Sequence, residues 1–275
     1  MNEPLSAGDA TRSRVEVQAD TEEEPRSWLG RQLEGVNTLF IAVLIALAIR
    51  AFVIEPFRIP SGSMLPTLLV GDHLFVNKFV YGVRVPFTGL RMPGLREPQR
   101  GDVVVFTVAR DGAAIHPTDR RPELRREEFV KRIVGLPGDR VQVDQGRVRL
   151  NGVRVEGYDT TSLFEDGAGR GLRIRNEELD SGAYTVLDDP LLTGLPQNEF
   201  TVEPGRYFMM GDNRDHSNDS RNWGTVRLQE LKGPAFVLYW SWNFEGGWLS
   251  LANPLIWVDL LLDKTRWSRI GDGID

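Results

Sequence analysis

RVQVDQGRVRLNGVRVE, residues 140–156, is the stretch that decides the fold class. Apolar and polar side chains alternate along it with period two, around Gln145-Gly146 and again around Asn151-Gly152. Such alternation marks strands with one buried face. Asn-Gly between alternating runs marks a hairpin, because both turn residues must take positive φ. Runs rich in Val, Ile and aromatics stand on either side: HLFVNKFVYGV (73–83), DVVVF (102–106), EFVKRIVGL (128–136), RYFMMGDN (206–213) and AFVLYWSWNF (235–244). Strands do not alternate with helices. The chain is therefore expected to be mainly β, with a barrel- or sandwich-like domain formed by 55–156 and 205–247. Residues 107–128 read as a charged loop. Residues 157–204, with the turn-rich runs EDGAGRG and TGLPQNE, read as an inserted small subdomain, and 248–275 as a segment able to form a short amphipathic helix after Pro254.

Composition removes several function classes. The 275 residues are 41% hydrophobic and 26% charged, which excludes wholesale disorder, a collagen-like repeat and a multi-span membrane protein. A net charge of -6 provides no basic field for nucleic acid. With no cysteine, disulfides, thiolate catalysis and cysteine-ligated zinc are out. Three histidines (His73, His116, His216) make a poor basis for a metal site, and no cofactor is expected.

The N-terminal region has two textures. Residues 1–35 read as a disordered acidic tail, with seven acids and three Arg in the first 27. VNTLFIAVLIALAIRAFVI, 36–54, has an unbroken apolar core from Leu39 to Ile49. Its length falls within the roughly 17–25 residues a helix needs to cross a bilayer, and Arg50 can snorkel to the head groups. A membrane anchor is the expected reading. A signal-peptide core, with Ala46-Leu47-Ala48 as its cleavage site, and a buried soluble helix compete with it. Arg26 and Arg31 before the span and Arg58 after it give the positive-inside rule little to decide.

Three segments can carry chemistry. EPFRIPSGSMLPTL, 55–68, is stiffened by Pro60 and Pro66 around Ser61-Gly62-Ser63; it is either a polar turn or a nucleophile segment, with Met64 facing away from Ser63. In EFVKRIVGLPGD, 128–139, the pleat sets Phe129, Lys131 and Ile133 on one face, Val130, Arg132 and Val134 on the other. Of 33 basic residues only four are Lys, at 78, 131, 232 and 264. Lysine, unlike arginine, loses its proton when buried. Lys131 is thus either an edge-strand lysine reaching for solvent or a base. MGDNRDHSNDSRNWG, 210–224, admits a calcium loop, a Ser-His-Asp triad through His216, a polar shell that positions other groups, or a loop locked by Asp-Arg pairs. Arg214 and the missing sixth-place Gly disfavour calcium, and no second partner is specified for His216. Five of seven Trp (240, 242, 248, 257, 267) cluster late in the chain, suited to a core or to a membrane interface.

Taken in order, FRIPSGSMLPTL, RGDVVVF (100–106), VKRIVGLPGD and GDNRDHSNDSR (211–221), placed just after the apolar span, resemble the bacterial type I signal peptidases (leader peptidases), membrane-anchored Ser-Lys endopeptidases. The resemblance reaches about residues 36–240. It implies Ser63 as nucleophile and Lys131 as general base, with the Ser61 hydroxyl and the Ser63 N–H as oxyanion hole. Ser217 would hold the Lys131 amine, while Asp219, Arg221 and Asp212 support the site. Phe57, Ile59, Pro60, Phe129 and Val130 would line pockets for small side chains. His216 departs from the Asn often found there. The implied partners are membrane-inserted preprotein signal peptides and the lipid bilayer, with no nucleic acid and no obligate protein partner. The implied place is the bacterial cytoplasmic (inner) membrane, single-pass, with the catalytic domain outside. Rival readings are a dedicated Ser-Lys processing peptidase and a membrane-tethered β-domain that binds peptides by strand addition without cutting.

Overall fold

A computed structural model of the chain describes residues 28–83, 90–192, 197–243, 257–258 and 260–274, with side chains from Val36 onward. The expected tail lies outside them as far as Ser27. Two units are distinguished, Met1–Ala46 and Leu47–Asp275. Helix α1 runs Trp28–Phe52, starting eight residues ahead of the expected Val36. Every side chain from Val36 to Arg50 is exposed. Among the described residues, no helix is long and apolar enough to cross a membrane.

All the strands come after α1. They are β1 (Ile54–Arg58), β2 (Asp72–Asn77), β3 (Val103–Asp111), β4 (Ala114–His116), β5 (Arg125–Gly135), β6 (Arg140–Asp144), β7 (Arg147–Leu150) and β8 (Val153–Arg154). A meander of β9 (Gly157–Glu165), β10 (Gly171–Leu179) and β11 (Gly182–Asp188) comes next. Then come β12 (Phe200–Thr201), β13 (Arg206–Met210), the one-turn helix α2 (Ser220–Trp223), β14 (Val226–Arg227) and β15 (Leu231–Ser241). The main sheet has the order β1-β2-β15-β3-β5-β13-β14, with β4 beside β3. A four-stranded sheet (β12-β6-β7-β8) and the three-stranded meander (β11-β10-β9) complete the fold. The mainly β expectation holds.

The hairpin signals act as their chemistry demands. Gln145, Gly146, Asn151 and Gly152 take φ of 49°, 75°, 53° and 84°, which fixes the register Val141↔Leu150 and Val143↔Val148. In β3 and β5 the pleat feeds two cores. Val104, Phe106, Val108 and Ile133 enter one; Val103, Val105 and Val130 enter another with Ile59, Met64, Leu74 and Val76. Each such side chain contributes about 1.5–3 kcal/mol of burial. A third core joins Val141, Val143 and Val148 to Leu179, Tyr184, Val186 and Phe208. The 157–204 segment is therefore built largely of a meander that shares its core with the neighbouring sheet.

The loop reading of 107–128 holds for 117–124, which form turns, and is corrected on either side of them. β3 and β5 stay paired as far as Arg110↔Arg125, and β4 folds back on β3. The apolar alternation fades there because charge pairs, such as Arg110–Glu127 at 3.1 Å, take over across the ribbon. The expected amphipathic helix in 248–275 falls partly on residues 244–256 and 259, outside the described ones. Beyond them the chain makes a single π-helical turn, Leu260–Lys264, and then returns to β15 through Thr265↔Trp242 and Gly273↔Val237. Fully buried Asp72 gathers this return. It accepts from Ser241 Oγ at 2.6 Å, Arg266 Nη1 at 3.2 Å and Arg269 Nη2 at 2.8 Å. Arg269 also donates to the Thr67 carbonyl at 2.9 Å, so the distal segment is fastened to the chain just after Ser63. Trp240 packs against Trp242 and Trp267, while Trp257 and Trp267 are exposed.

Candidate active site

Ser63 sits where β1 gives way to a tight turn. The exit is pinned by the Ile59 N–H on the Asp72 carbonyl (2.8 Å) and the Gly71 N–H on the Ile59 carbonyl (3.0 Å). Ser61 is extended, and Gly62–Met64 forms one turn of 3-10 helix. Such a turn separates neighbours: Met64 is buried in the second core, while Ser63 borders a cavity of about 410 Å³. Ser61 makes no capping hydrogen bond and lines the same cavity.

Lys131 arrives from the middle of β5 and is 2% exposed. Its Nζ lies 2.5 Å from Ser63 Oγ and 5.8 Å from the centre of the Phe129 ring. Burial strips water from the ammonium and lowers the pKa from 10.5 to about 8. Asp219 and Asp212 pull it upward, and Arg221 pushes it down. Of the two readings open for this lysine, the geometry chooses the buried one.

The 210–221 loop holds the serine turn by its backbone. Asn213 donates its N–H to the Ser63 carbonyl at 3.1 Å and its Nδ2 to the Gly62 carbonyl at 3.0 Å. Thr67 Oγ1 donates to Asp212 at 2.6 Å. Arg132 forks onto Asp212 with bonds of 3.0 and 2.9 Å, both partners being 1% exposed. Arg221 forks onto fully buried Asp219 at 2.7 and 2.8 Å, and the Gly211 N–H adds a third bond at 3.0 Å. Burial pushes the Asp219 carboxyl up, but Arg221, this N–H and the Lys131 charge more than reverse it and hold its pKa below the ordinary value. Gly211 is required here by space: a Cβ would fall 2.4 Å from the Ser63 carbonyl oxygen and 2.3 Å from Ser217 Oγ. Ser217 is near the site as expected, but its buried Oγ has no hydrogen-bond partner, so the implied bond to the Lys131 amine is not formed.

Of the five expected pocket residues, Phe129 lines the cavity, together with Leu65 and Val70. Ile59 and Val130 are buried in the second core with Phe57 packed against it, and Pro60 is exposed. Arg170 and His216 stand on the cavity's polar side. His216 Nδ1 accepts from Arg170 Nη1 at 3.2 Å, which leaves Nε2–H to donate to Asp189 at 3.0 Å. Both ring nitrogens are thus engaged away from Ser63. No group of three His, Cys, Asp or Glu gathers as a metal site among the described residues.

Sequence reasoning missed Asn213, Leu65, Val70 and the anchor beneath the loop. There Glu177 of β10 accepts from Arg214 Nη1 (2.9 Å), Arg175 Nη2 (2.9 Å) and the Tyr184 hydroxyl (2.7 Å). Arg214 was visible only as a charge in a polar run. Its partner lies 37 residues away in the chain, beyond any local pattern.

The family model for signal peptidases, peptidase S26, matches residues 32–240. The signal peptidase I of Pseudomonas aeruginosa is 37% identical over 222 residues, covering 76% of this chain and 73% of that protein. The signal peptidase I of Aquifex aeolicus is 34% identical over 270 residues, covering 85% of this chain and 95% of its own. A crystal structure of a signal peptidase I from Enterococcus faecalis V583 aligns at 24% identity with a TM-score of 0.28, over 50% of this chain and 97% of that one. That last likeness is too slight to carry an argument.

Proposed function

The chain belongs to the signal peptidase family, peptidase S26, and on that footing we propose that Ser63 is its nucleophile and Lys131 its general base. It is an enzyme that removes signal peptides. The observation that carries the dyad is the 2.5 Å approach of Ser63 Oγ to a lysine buried deeply enough to shed its proton. Neutral Lys131 takes the Ser63 proton as Oγ attacks the scissile carbonyl. The oxyanion is held by the Ser61 hydroxyl and the Ser63 N–H. The Lys131 ammonium then protonates the departing amine, leaving an acyl group on Ser63. Lys131 next deprotonates a water, whose attack releases the signal peptide and restores the serine. Cleavage follows small-x-small motifs of exported preproteins.

The apolar sequence of 36–54, exposed from Val36 to Arg50, supports a single membrane anchor, and the family likeness supports the bacterial cytoplasmic membrane with the catalytic domain outside. An enzyme tethered to the membrane that holds its substrate meets it at raised effective concentration. Among the described residues β1 pairs with β2 alone, an edge that suits an extended peptide. The same edge favours the rival of a binding module that does not cut. The test is cleavage of a preprotein by the full chain in detergent beside Ser63→Ala and Lys131→Arg. Cleavage after small-x-small by the parent alone, with both variants folded, is expected. Equal cutting by all three overturns the dyad, and binding without cutting by the parent makes the chain a strand-addition module.

A further inference from the structure

The meander ends on an edge that burial does not explain. Seven of the nine residues of β9 are exposed and none is buried, whereas four of the nine in β10 are buried. Among the described residues β9 pairs with β10 alone, so the other side of its backbone is left for a further strand. Residues 157–165 contain neither Pro nor Lys, two residues that commonly blunt such an edge.

Two bonds fix which backbone groups that side carries. Glu178 donates its N–H to the Glu156 carbonyl at 3.0 Å, and Asp166 donates its own to the Arg170 carbonyl at 3.1 Å. In an antiparallel pair every second residue turns its N–H and C=O outward. Counting forward from the first bond gives Gly157 and Asp159; counting back from the second gives Glu165 and Leu163. The register shifts between the two halves. Near the start of the strand Arg147 of β7 crosses to the Asp159 carboxylate at 2.6 Å. Leu163 and Glu165 are therefore the stretch most open to a partner.

That stretch leads into the catalytic cavity. Asp166, Gly167, Ala168 and Arg170, the turn after β9, line it together with Ser63 and Lys131. On the far side of the turn β10 is already flanked by β11, so the edge that opens from the cavity is that of β9. Arg170 and Asp166 make this wall polar, in contrast to Leu65, Val70 and Phe129. The apolar signal peptide, held in the membrane, enters from β1, which follows α1 almost at once. The chain beyond the cut leaves by the polar wall. It runs away from Ser63 while β9 runs towards it, so the two meet antiparallel.

We propose that the open edge of β9 docks the extended start of the mature polypeptide, beginning a few residues after the cut. The docking strand rests on the peptidase reading above. Main-chain hydrogen bonds carry the affinity, which leaves the mature sequence free to vary.

Two peptides with one small-x-small sequence test it, one stopping at the second residue beyond the cut and the other continuing through the tenth. The full chain in detergent digests them together, and mass spectrometry reads the ratio of the two rates. The parent is expected to cut the long peptide roughly tenfold faster or more, the worth of a pair of ordinary main-chain hydrogen bonds. Leu163→Pro removes an outward N–H that β10 does not use, a place where an edge strand accepts proline. It should bring the ratio towards one and leave cutting of the short peptide unchanged, while Leu163→Ala keeps the N–H and the ratio. Long peptides N-methylated from the third residue beyond the cut, at odd or at even positions, give a second reading on the parent alone. One set should fall to the short peptide's rate and the other hold the long one's, because a strand offers every second N–H to its neighbour. These sets need no variant, so they decide even where the proline variant fails to fold. Equal cutting of long and short peptides by the parent, a folded Leu163→Pro that keeps the parent's ratio, or two methylated sets that behave alike overturns the docking strand and leaves the peptidase reading standing. Failure of the parent to cut either peptide overturns the peptidase reading, and the docking strand with it.

Discussion

Lys131→Met is expected to yield a protein that is inactive yet more stable at neutral pH. Folding forces this lysine out of water, and its pKa falls from 10.5 to about 8. Each unit corresponds to 1.36 kcal/mol, so the lysine opposes folding by about 3 kcal/mol at pH 7. Between pH 8 and 10.5 the unfolded chain holds a proton that the native chain lacks. Stability therefore climbs with pH across that window, and the opposition is full below it. Methionine matches the length and carries no charge. Losing the contact with Ser63 offsets about 1 kcal/mol, which leaves a gain of about 2 kcal/mol. Urea unfolding of both full-length proteins in detergent, followed by far-ultraviolet circular dichroism at pH 7 and pH 10, measures the gap. It should favour the variant at pH 7 and vanish or reverse by pH 10. A variant less stable at pH 7, or a gap indifferent to pH, would refute burial as the cause of the lowered pKa.

The same lowered pKa sets the pH-rate profile: about a tenth of Lys131 is neutral at pH 7 and half at pH 8, so kcat/KM should rise about tenfold between pH 7 and 9; a rising limb centred near 10 contradicts it. Ser61→Ala should lower kcat roughly 10²–10³-fold if its hydroxyl stabilises the oxyanion, whereas a change confined to KM would assign Ser61 to binding. Gly211→Ala places a methyl 2.4 Å from the Ser63 carbonyl oxygen and should abolish most turnover while circular dichroism stays near normal; parent-like turnover would show that the loop need not press on the serine. Asp212→Ala strands Arg132, 1% exposed, and should cost about 3–5 kcal/mol in urea unfolding; a loss below about 1 kcal/mol would mean that water reaches the guanidinium.

Much of this was legible because its physics is local. Asn151-Gly152 announces positive φ, and the scarcity of lysine with the apolar strand around position 131 marks Lys131 as an edge-strand lysine or a base, a choice that only the resemblance made. The charged ribbon at 107–128 escaped because strands held by Arg–Glu pairs lose the apolar beat that marks a strand. Asn213 escaped for a different reason. Its work is to fill the hydrogen bonds of Gly62 and Ser63, and a bond across 151 residues of chain leaves no trace in spacing. The bare Ser217 hydroxyl marks where the resemblance assigned a bond that the packing around Gly211 does not make.

The fastening of Thr67 and Asp72 by Arg269 also sets a clock. Donor and acceptor are 202 residues apart in the chain, and ribosomes add roughly 5–20 residues per second. For about 10–40 s after the serine segment is made, the arginine that steadies it does not yet exist. A nascent or prematurely terminated chain lacking residues 266–269 leaves Asp72 buried without its two guanidinium partners. The serine segment is thus made well before the arginines that fasten the chain just beyond it.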